Sequence, residues 1–196
     1  MPKYPSMDRL ADVQQLVADF AKVTRAVNLA NNGRPENDVE HSYSLAITCW
    51  FLHDKIAPEL DIEKIFKYAL SHDIVELHAG DTYVFDEAAV ATKAQREHDA
   101  NERLSSEWPD FSELTSYADG YANKRDAESR FVYAVDKLLP IMMIELDDAK
   151  AVWSKKKITL EMERTNKMTV LQSEIMSPYY EELLDWLDGR GNIPKR

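Results

Sequence analysis

At 196 residues with 44% apolar content, the chain is long enough to bury a hydrophobic core and short enough to form one domain over 1–196. Its formal charge of -11 argues against duplex DNA or RNA as a partner, because polyanions are held by clustered Lys and Arg that displace counterions. No apolar run approaches the ~20 residues of a membrane span and no signal-peptide stretch opens the chain, so the expectation is a cytoplasmic protein without a membrane partner.

Apolar residues at three- and four-residue spacing predict a first helix from about Met7 to Asn31, carrying Leu10, Val13, Leu16, Val17, Phe20, Val23 and Val27 on one stripe, with Gly33 and Pro35 ending it. Asn37 or Asp38 can cap a second helix to about Asp54, which sets His41 in its opening turn. Cys49, the only cysteine, lies in the apolar run Ile47 to Leu52 and reads as a core residue. A third helix is expected from about Ile62 to His78, ended by Gly80, with a loop over Asp81 to Asp86. A fourth runs from about Glu87 to Trp108 and stops at Pro109. The stretch Asp110 to Lys124 has no clean period and suggests short helices and turns. Two long helices follow, about Asp126 to Trp153 and Thr159 to Leu187, before a polar tail at Gly189 to Arg196 that is expected to fray. Nothing alternates convincingly at period two, so the expected fold is an all-α bundle.

The chemistry lies in histidines and carboxylates on helices that otherwise read as core. His72 and Asp73 are adjacent, and Glu76 follows at helical spacing, so all three can face one site. Ile65, Phe66, Ala69, Leu70 and Leu77 would bury that face, where an unpaired carboxylate costs several kcal/mol that a bound cation would remove. Asp136 falls inside the apolar stripe of Val132, Val135, Leu139, Met142, Met143 and Leu146, and therefore needs either a salt bridge or a metal shared with His72 and Asp73. His41 completes a plausible set of two imidazoles and two carboxylates, which suits Mn, Fe, Co, Ni or Zn better than Ca or Mg; taken alone it would be a capping or surface histidine. His53, His78 and His98 lack a matching carboxylate neighbourhood and read as structural or exposed.

The segments Arg34-Pro35-Glu36-Asn37-Asp38-Val39-Glu40-His41, His72-Asp73-Ile74-Val75-Glu76, Gly80-Asp81-Thr82 and Val135-Asp136-Lys137-Leu138 resemble, in order and spacing, the HD-domain phosphohydrolases, most closely the 5'-deoxynucleotidase branch. The resemblance covers roughly Arg25 to Thr159, leaving a C-terminal helix of about 159–187 outside it. It implies a compact helical bundle, one divalent metal on His41, His72, Asp73 and Asp136, a small-molecule nucleotide substrate, and hydrolysis of a deoxynucleoside 5'-monophosphate to nucleoside and phosphate. It also implies a homodimer. Glu76 is expected to orient or deprotonate the attacking water, and Asp81 to contact substrate or assist proton transfer to the leaving oxygen, against the plainer reading of Asp81 as a loop cap. Arg25 is expected to bind phosphate through its planar fork, and Lys93 is a further substrate candidate on a helix that need only be amphipathic. Two other readings share these residues: a small deoxynucleoside triphosphate triphosphohydrolase, and a nucleotide-binding module without turnover.

Overall fold

The computed structural model describes residues 4–80, 87–170 and 173–195. Helix α1 (Met7–Phe20) starts at Ser6, whose hydroxyl accepts from the Arg9 amide at 3.1 Å, and it buries Leu16 and Phe20. It does not continue to Asn31 as its stripe suggested. Thr24 and Val27 are β-branched, and Thr24–Asn28 forms strand β1, antiparallel to β2 (Pro35–Asn37), with exposed and half-buried residues alternating. Asn31 and Gly33 take left-handed dihedrals in the connection (φ 58° and 70°), so this stretch folds back into a hairpin instead of ending a helix. The rest of the described chain is helices and turns, and the all-α class holds with this small ribbon added.

Helix α2 (Asp38–Ile56) opens on a capping box: the Asn37 side chain accepts from the Glu40 amide at 3.0 Å, and Glu40 accepts from the Asn37 amide at 3.1 Å. Asn37 thus ends the ribbon and starts the helix, which fixes where His41 emerges. The expected third helix is interrupted. Helix α3 (Ile62–Ser71) gives way to a turn through His72–Val75, held by Ile74 N–H to Ser71 carbonyl (3.1 Å) and Glu76 N–H to Asp73 carbonyl (2.8 Å), and a short α4 (Glu76–Ala79) follows.

Helix α5 (Glu87–Glu107) matches its expected range, and α6 (Ser112–Ala122) occupies the stretch that had no clear period. Within α6, a Cβ at Gly120 would come within 3.0 Å of the Tyr68 ring, so glycine lets the two helices close up. Helix α7 (Ala127–Leu146) runs through Pro140; Asp148 then caps a separate α8 (Ala149–Lys156), which breaks the single helix expected to Trp153. The last expected helix is likewise two: α9 (Leu160–Val170) and α10 (Ser177–Arg190), the latter with Pro178 in its first turn, where a missing N–H costs nothing. The tail is tied down: Leu160 N–H donates to the Pro194 carbonyl at 2.8 Å, and Ile193 is buried.

Two apolar cores result among the described residues. The larger gathers Leu45, Cys49, Ile65, Phe131, Val135, Trp153 and Leu184 from α2, α3, α7, α8 and α10, with Cys49 buried as expected. The smaller packs Leu16, Phe20, Ile74, Val75, Leu104 and Trp108. The turn at residues 72–75 passes from one to the other, because Ala69 belongs to the first and Ile74 to the second. None of the described helices is long and apolar enough to cross a membrane.

Candidate metal and catalytic site

His41 leaves the first turn of α2, His72 and Asp73 the turn after α3, and Asp136 the middle of α7; His41, His72 and Asp136 are buried. Their polar atoms converge. Asp136 Oδ1 lies 2.8 Å from His41 Nε2 and 4.0 Å from His72 Nε2, and His72 Nε2 lies 2.8 Å from Asp73 Oδ2. The ligand atoms of His41, His72 and Asp73 all fall within 4.8 Å of one another. Metal–nitrogen bonds near 2.0–2.1 Å give donor–donor edges of roughly 3–3.5 Å, so this spacing suits one small ion with little adjustment.

The orientation of each imidazole points the same way. His72 Nδ1 donates to the Ala69 carbonyl at 2.9 Å, which fixes the tautomer and turns the Nε2 lone pair inward. That Nε2 is buried and makes no hydrogen bond; its approach to Asp73 has the distance of one but not the alignment. A buried ring nitrogen left in this way is costly unless something coordinates it, and the donor set fits a divalent transition metal. His41 Nδ1 faces Glu36 Oε2 at 3.3 Å, a buried carboxylate placed to hold this second ring by its far nitrogen.

Electrostatics keep the carboxylates ionised. Burial pushes Asp73 upward, but His72 and Arg25 beside it outweigh that and hold it well below the usual carboxylate range. Asp136 is depressed likewise, burial being overcome by Lys137 and His41. For His41, burial disfavours the cation, yet the hydrogen bonds to Asp136 and Glu36 prevail and its pKa rises to about 9.

Glu76 is buried at the start of α4, with a carboxylate oxygen within 4.8 Å of ligand atoms on Asp73 and Asp38. It adjoins the four-residue cluster from the side of Asp73. Arg25, on β1, points into the same place: Nη1 donates to Asp73 Oδ2 at 2.6 Å and to Asp38 Oδ1 at 3.3 Å. Burial would lower its pKa, but Asp73 and Asp136 raise it. Lys93, on α5, sits 3.2 Å from Glu97; burial disfavours its charge, and Glu97, Glu76 and Asp73 restore it. Asp81 lies outside the described residues. His53, His78 and His98 stand apart: His53 is bonded to the Leu60 carbonyl and His78 to Glu107, while His98 lies 3.6 Å from Glu102.

Four participants went unassigned from the sequence. Tyr121 Oη donates to Asp136 Oδ2 at 2.6 Å, its ring edge-on to His72 at 5.1 Å, and Lys137 Nζ reaches the same oxygen at 2.6 Å. Glu36 and Asp38 hold His41 and Arg25. Glu36, Asp38 and Lys137 lie within or beside the quoted motifs and could have been suspected from their place; Tyr121 carried no signal, since an aromatic on α6 reads as core.

A family model for the HD domain matches residues 18–177. The chain is 27% identical over 126 residues to 5'-deoxynucleotidase HDDC2 of Homo sapiens, covering 63% of this chain and 60% of that protein. It is 28% identical over 106 residues to the Xenopus laevis protein of the same name, covering 53% and 51%. The chain therefore spans only half to three-fifths of the length of these curated relatives. A predicted metal-dependent phosphohydrolase from Magnetospirillum magnetotacticum superposes with a TM-score of 0.79 at 28% identity, covering 95% of this chain and 96% of that one. PH0347 protein from Pyrococcus horikoshii, at 21% identity and a TM-score of 0.65, shares the fold.

Proposed function

We infer, from the premise that this chain belongs to the HD-domain family, that it is a metal-dependent phosphohydrolase acting on deoxynucleoside 5'-monophosphates. The observation that carries the reading is the buried His72 Nε2, turned by its bond to Ala69 into a ring of His41, Asp73 and Asp136 with Glu76 alongside. The relatives named 5'-deoxynucleotidase support the choice of substrate class.

His41, His72, Asp73 and Asp136 would hold one divalent transition metal, which would supply Lewis acidity towards phosphate and water. Glu76, buried beside Asp73, takes the proton from the attacking water. Arg25 and Lys93 offer positive charge to the phosphate on an otherwise acidic protein, with Arg25 exchanging part of its bonding to Asp73 and Asp38 for the anion. Asp81, which follows Gly80 in the sequence, is assigned the proton for the leaving 5'-oxygen. Tyr121 and Lys137 hold the far oxygen of Asp136 so that Oδ1 stays turned inward.

Purified protein with Mn²⁺ or Co²⁺ and a panel of deoxynucleoside mono- and triphosphates tests this. Inorganic phosphate released from monophosphates is the expected result. Tripolyphosphate from triphosphates would assign the triphosphohydrolase instead, and nucleotide binding without either product would assign a binding module.

A further inference from the structure

Lys124 follows α6, where the chain turns back into α7, and it takes a left-handed backbone (φ 50°) that asparagine or glycine adopts more readily. Asn123, better suited to that conformation, comes one residue earlier in an ordinary right-handed one. The Lys124 amide donates to the Tyr121 carbonyl at 3.0 Å, and the Lys124 carbonyl accepts from Arg130 Nη1 at 3.3 Å, so the backbone is pinned on both sides. The side chain reaches Tyr133. Lys124 Nζ lies 4.2 Å from the centre of that ring, and Lys137 Nζ lies 4.9 Å from the same centre. Burial, and then Lys137, push the Lys124 pKa down, and no carboxylate of the described residues acts against them, in a chain where Asp and Glu outnumber Lys and Arg 35 to 24. Two cations gathered on one ring repel each other, and an anion between them removes that repulsion.

The pair stands at the edge of the metal cluster. Lys137 Nζ is 2.6 Å from the far oxygen of Asp136, and Tyr133 packs on Tyr121 with centroids 5.6 Å apart, which packs in turn on His72. Lys137 keeps 32% of its side chain exposed, so it can be reached from solvent. After burial, Glu97, Glu76 and Asp73, it is also the next group to act on Lys93, so Lys93, Lys137 and Lys124 form a chain of neighbours. Taking the metal cluster as the seat of the reacting phosphate, we propose that Lys124 and Lys137, held on Tyr133, form a second anion subsite, which takes a phosphate group of the nucleotide other than the one that reacts. Arg25 and Lys93 serve the reacting phosphate from the Asp73 side, whereas these two cations lie on the Asp136 side. Lysine meets phosphate as a point charge, so Lys137 contributes its charge while it holds Asp136. A nucleotide carries a second phosphate either as a 5'-diphosphate or as a separate 3'-phosphate, and the chemistry recognised is the same.

Isothermal titration calorimetry of the full chain with saturating Mn²⁺ is the test, in a Glu76→Gln background so that the ligands stay intact. The ligands are deoxyadenosine 5'-monophosphate, 5'-diphosphate and 3',5'-bisphosphate. One of the two-phosphate ligands should bind about tenfold more tightly than the monophosphate, and Lys124→Asn should remove about that factor, the lower end for a hydrogen bond to a charged group. Affinity for the monophosphate should change less than about twofold in the same variant. Asparagine suits the left-handed backbone, so thermal unfolding of Lys124→Asn should occur no lower than before, and Lys124→Arg should keep most of the affinity. A lysine that only shaped the turn would not separate stability from affinity in this way. Whichever two-phosphate ligand shows the effect identifies the source of the second phosphate. The proposal is overturned if neither binds more tightly than the monophosphate, or if the advantage survives Lys124→Asn. It is overturned also if the variant weakens all three ligands alike, which would put Lys124 on the reacting phosphate. A monophosphate that fails to bind, beside a two-phosphate ligand held through Lys124, would refute the monophosphate reading and leave the subsite standing.

Discussion

Replacing Tyr121 by Phe is the sharpest probe of how the site is held. The hydroxyl donates to Asp136 Oδ2 at 2.6 Å in a buried setting, while the ring packs on His72 at 5.1 Å; Phe keeps the ring and removes only the bond. A hydrogen bond to a charged group is worth ~1.5–3 kcal/mol, which at about 1.4 kcal/mol per decade corresponds to roughly 10- to 150-fold in an equilibrium constant. Lys137 grips the same oxygen at 2.6 Å, so the carboxylate keeps one anchor and the lower end applies. Metal affinity should therefore fall about tenfold, at the foot of the ~10–100-fold range for substitutions behind a ligand. An opposing effect exists, because the hydroxyl draws charge from the carboxylate and its loss makes Asp136 a slightly better donor. Orientation outweighs it here, since Oδ1 must stay turned toward His41 and His72 for all four donors to meet. Competition of Mn²⁺ or Co²⁺ between the protein and a chromophoric chelator measures the change. An affinity within twofold of wild type, beside an Asp136→Asn control that loses binding, would refute the idea that Tyr121 positions this ligand.

Glu76→Gln should keep the metal and the substrate affinity while turnover falls ~10²–10⁴-fold, the usual worth of a positioned acid or base; metal lost together with activity would make Glu76 a ligand instead. His72→Ala and Asp136→Ala should each purify with little metal by elemental analysis, and wild-type stoichiometry in both would remove them from the ligand set. Glu145 is a buried carboxylate that accepts from Trp153 Nε1 (2.7 Å), Arg190 Nε (2.6 Å) and Asn192 Nδ2 (2.9 Å), tying α8 and the end of α10 to α7. Glu145→Ala should cost ~1–3 kcal/mol in urea unfolding, because it leaves the buried Trp153 N–H without its acceptor while the half-exposed Arg190 regains water, and a loss well under ~1 kcal/mol would mean that this knot contributes little. Random duplex DNA should show no sub-micromolar binding at physiological salt, which fluorescence anisotropy can check.

The helices were legible wherever an apolar stripe faced one core, and their limits were misread where the stripe changed cores or was cut by a side-chain cap. Val23 and Val27 fit the period of α1, but β-branched residues followed by Asn31 and Gly33 also suit a hairpin, and pairing with residues 35–37 decided for the hairpin. His72 continues the spacing of α3, yet Ile74 packs into a different core from Ala69, so the chain has to turn between them. Asp148 and Pro178 are helix starters inside runs whose apolar period does not break, and a reading by period passes over them.

The site was legible for the same physical reason that it is costly. An acid such as Asp136 within an apolar stripe stands out because nothing on its own helix face can neutralise it, and the structure meets that demand from four other places: α2, the turn after α3, α6, and the neighbouring Lys137. The groups that answer a buried charge are much harder to see. Tyr121 is apolar over most of its surface, and only its contact with Asp136, fifteen residues on and in another helix, gives its hydroxyl a purpose. Glu36 is sequestered by a hairpin that the helical reading did not contain, so its burial against His41 could not be anticipated. A sequence thus exposes the charges that need partners, and the partners are found only once the fold has brought distant elements together.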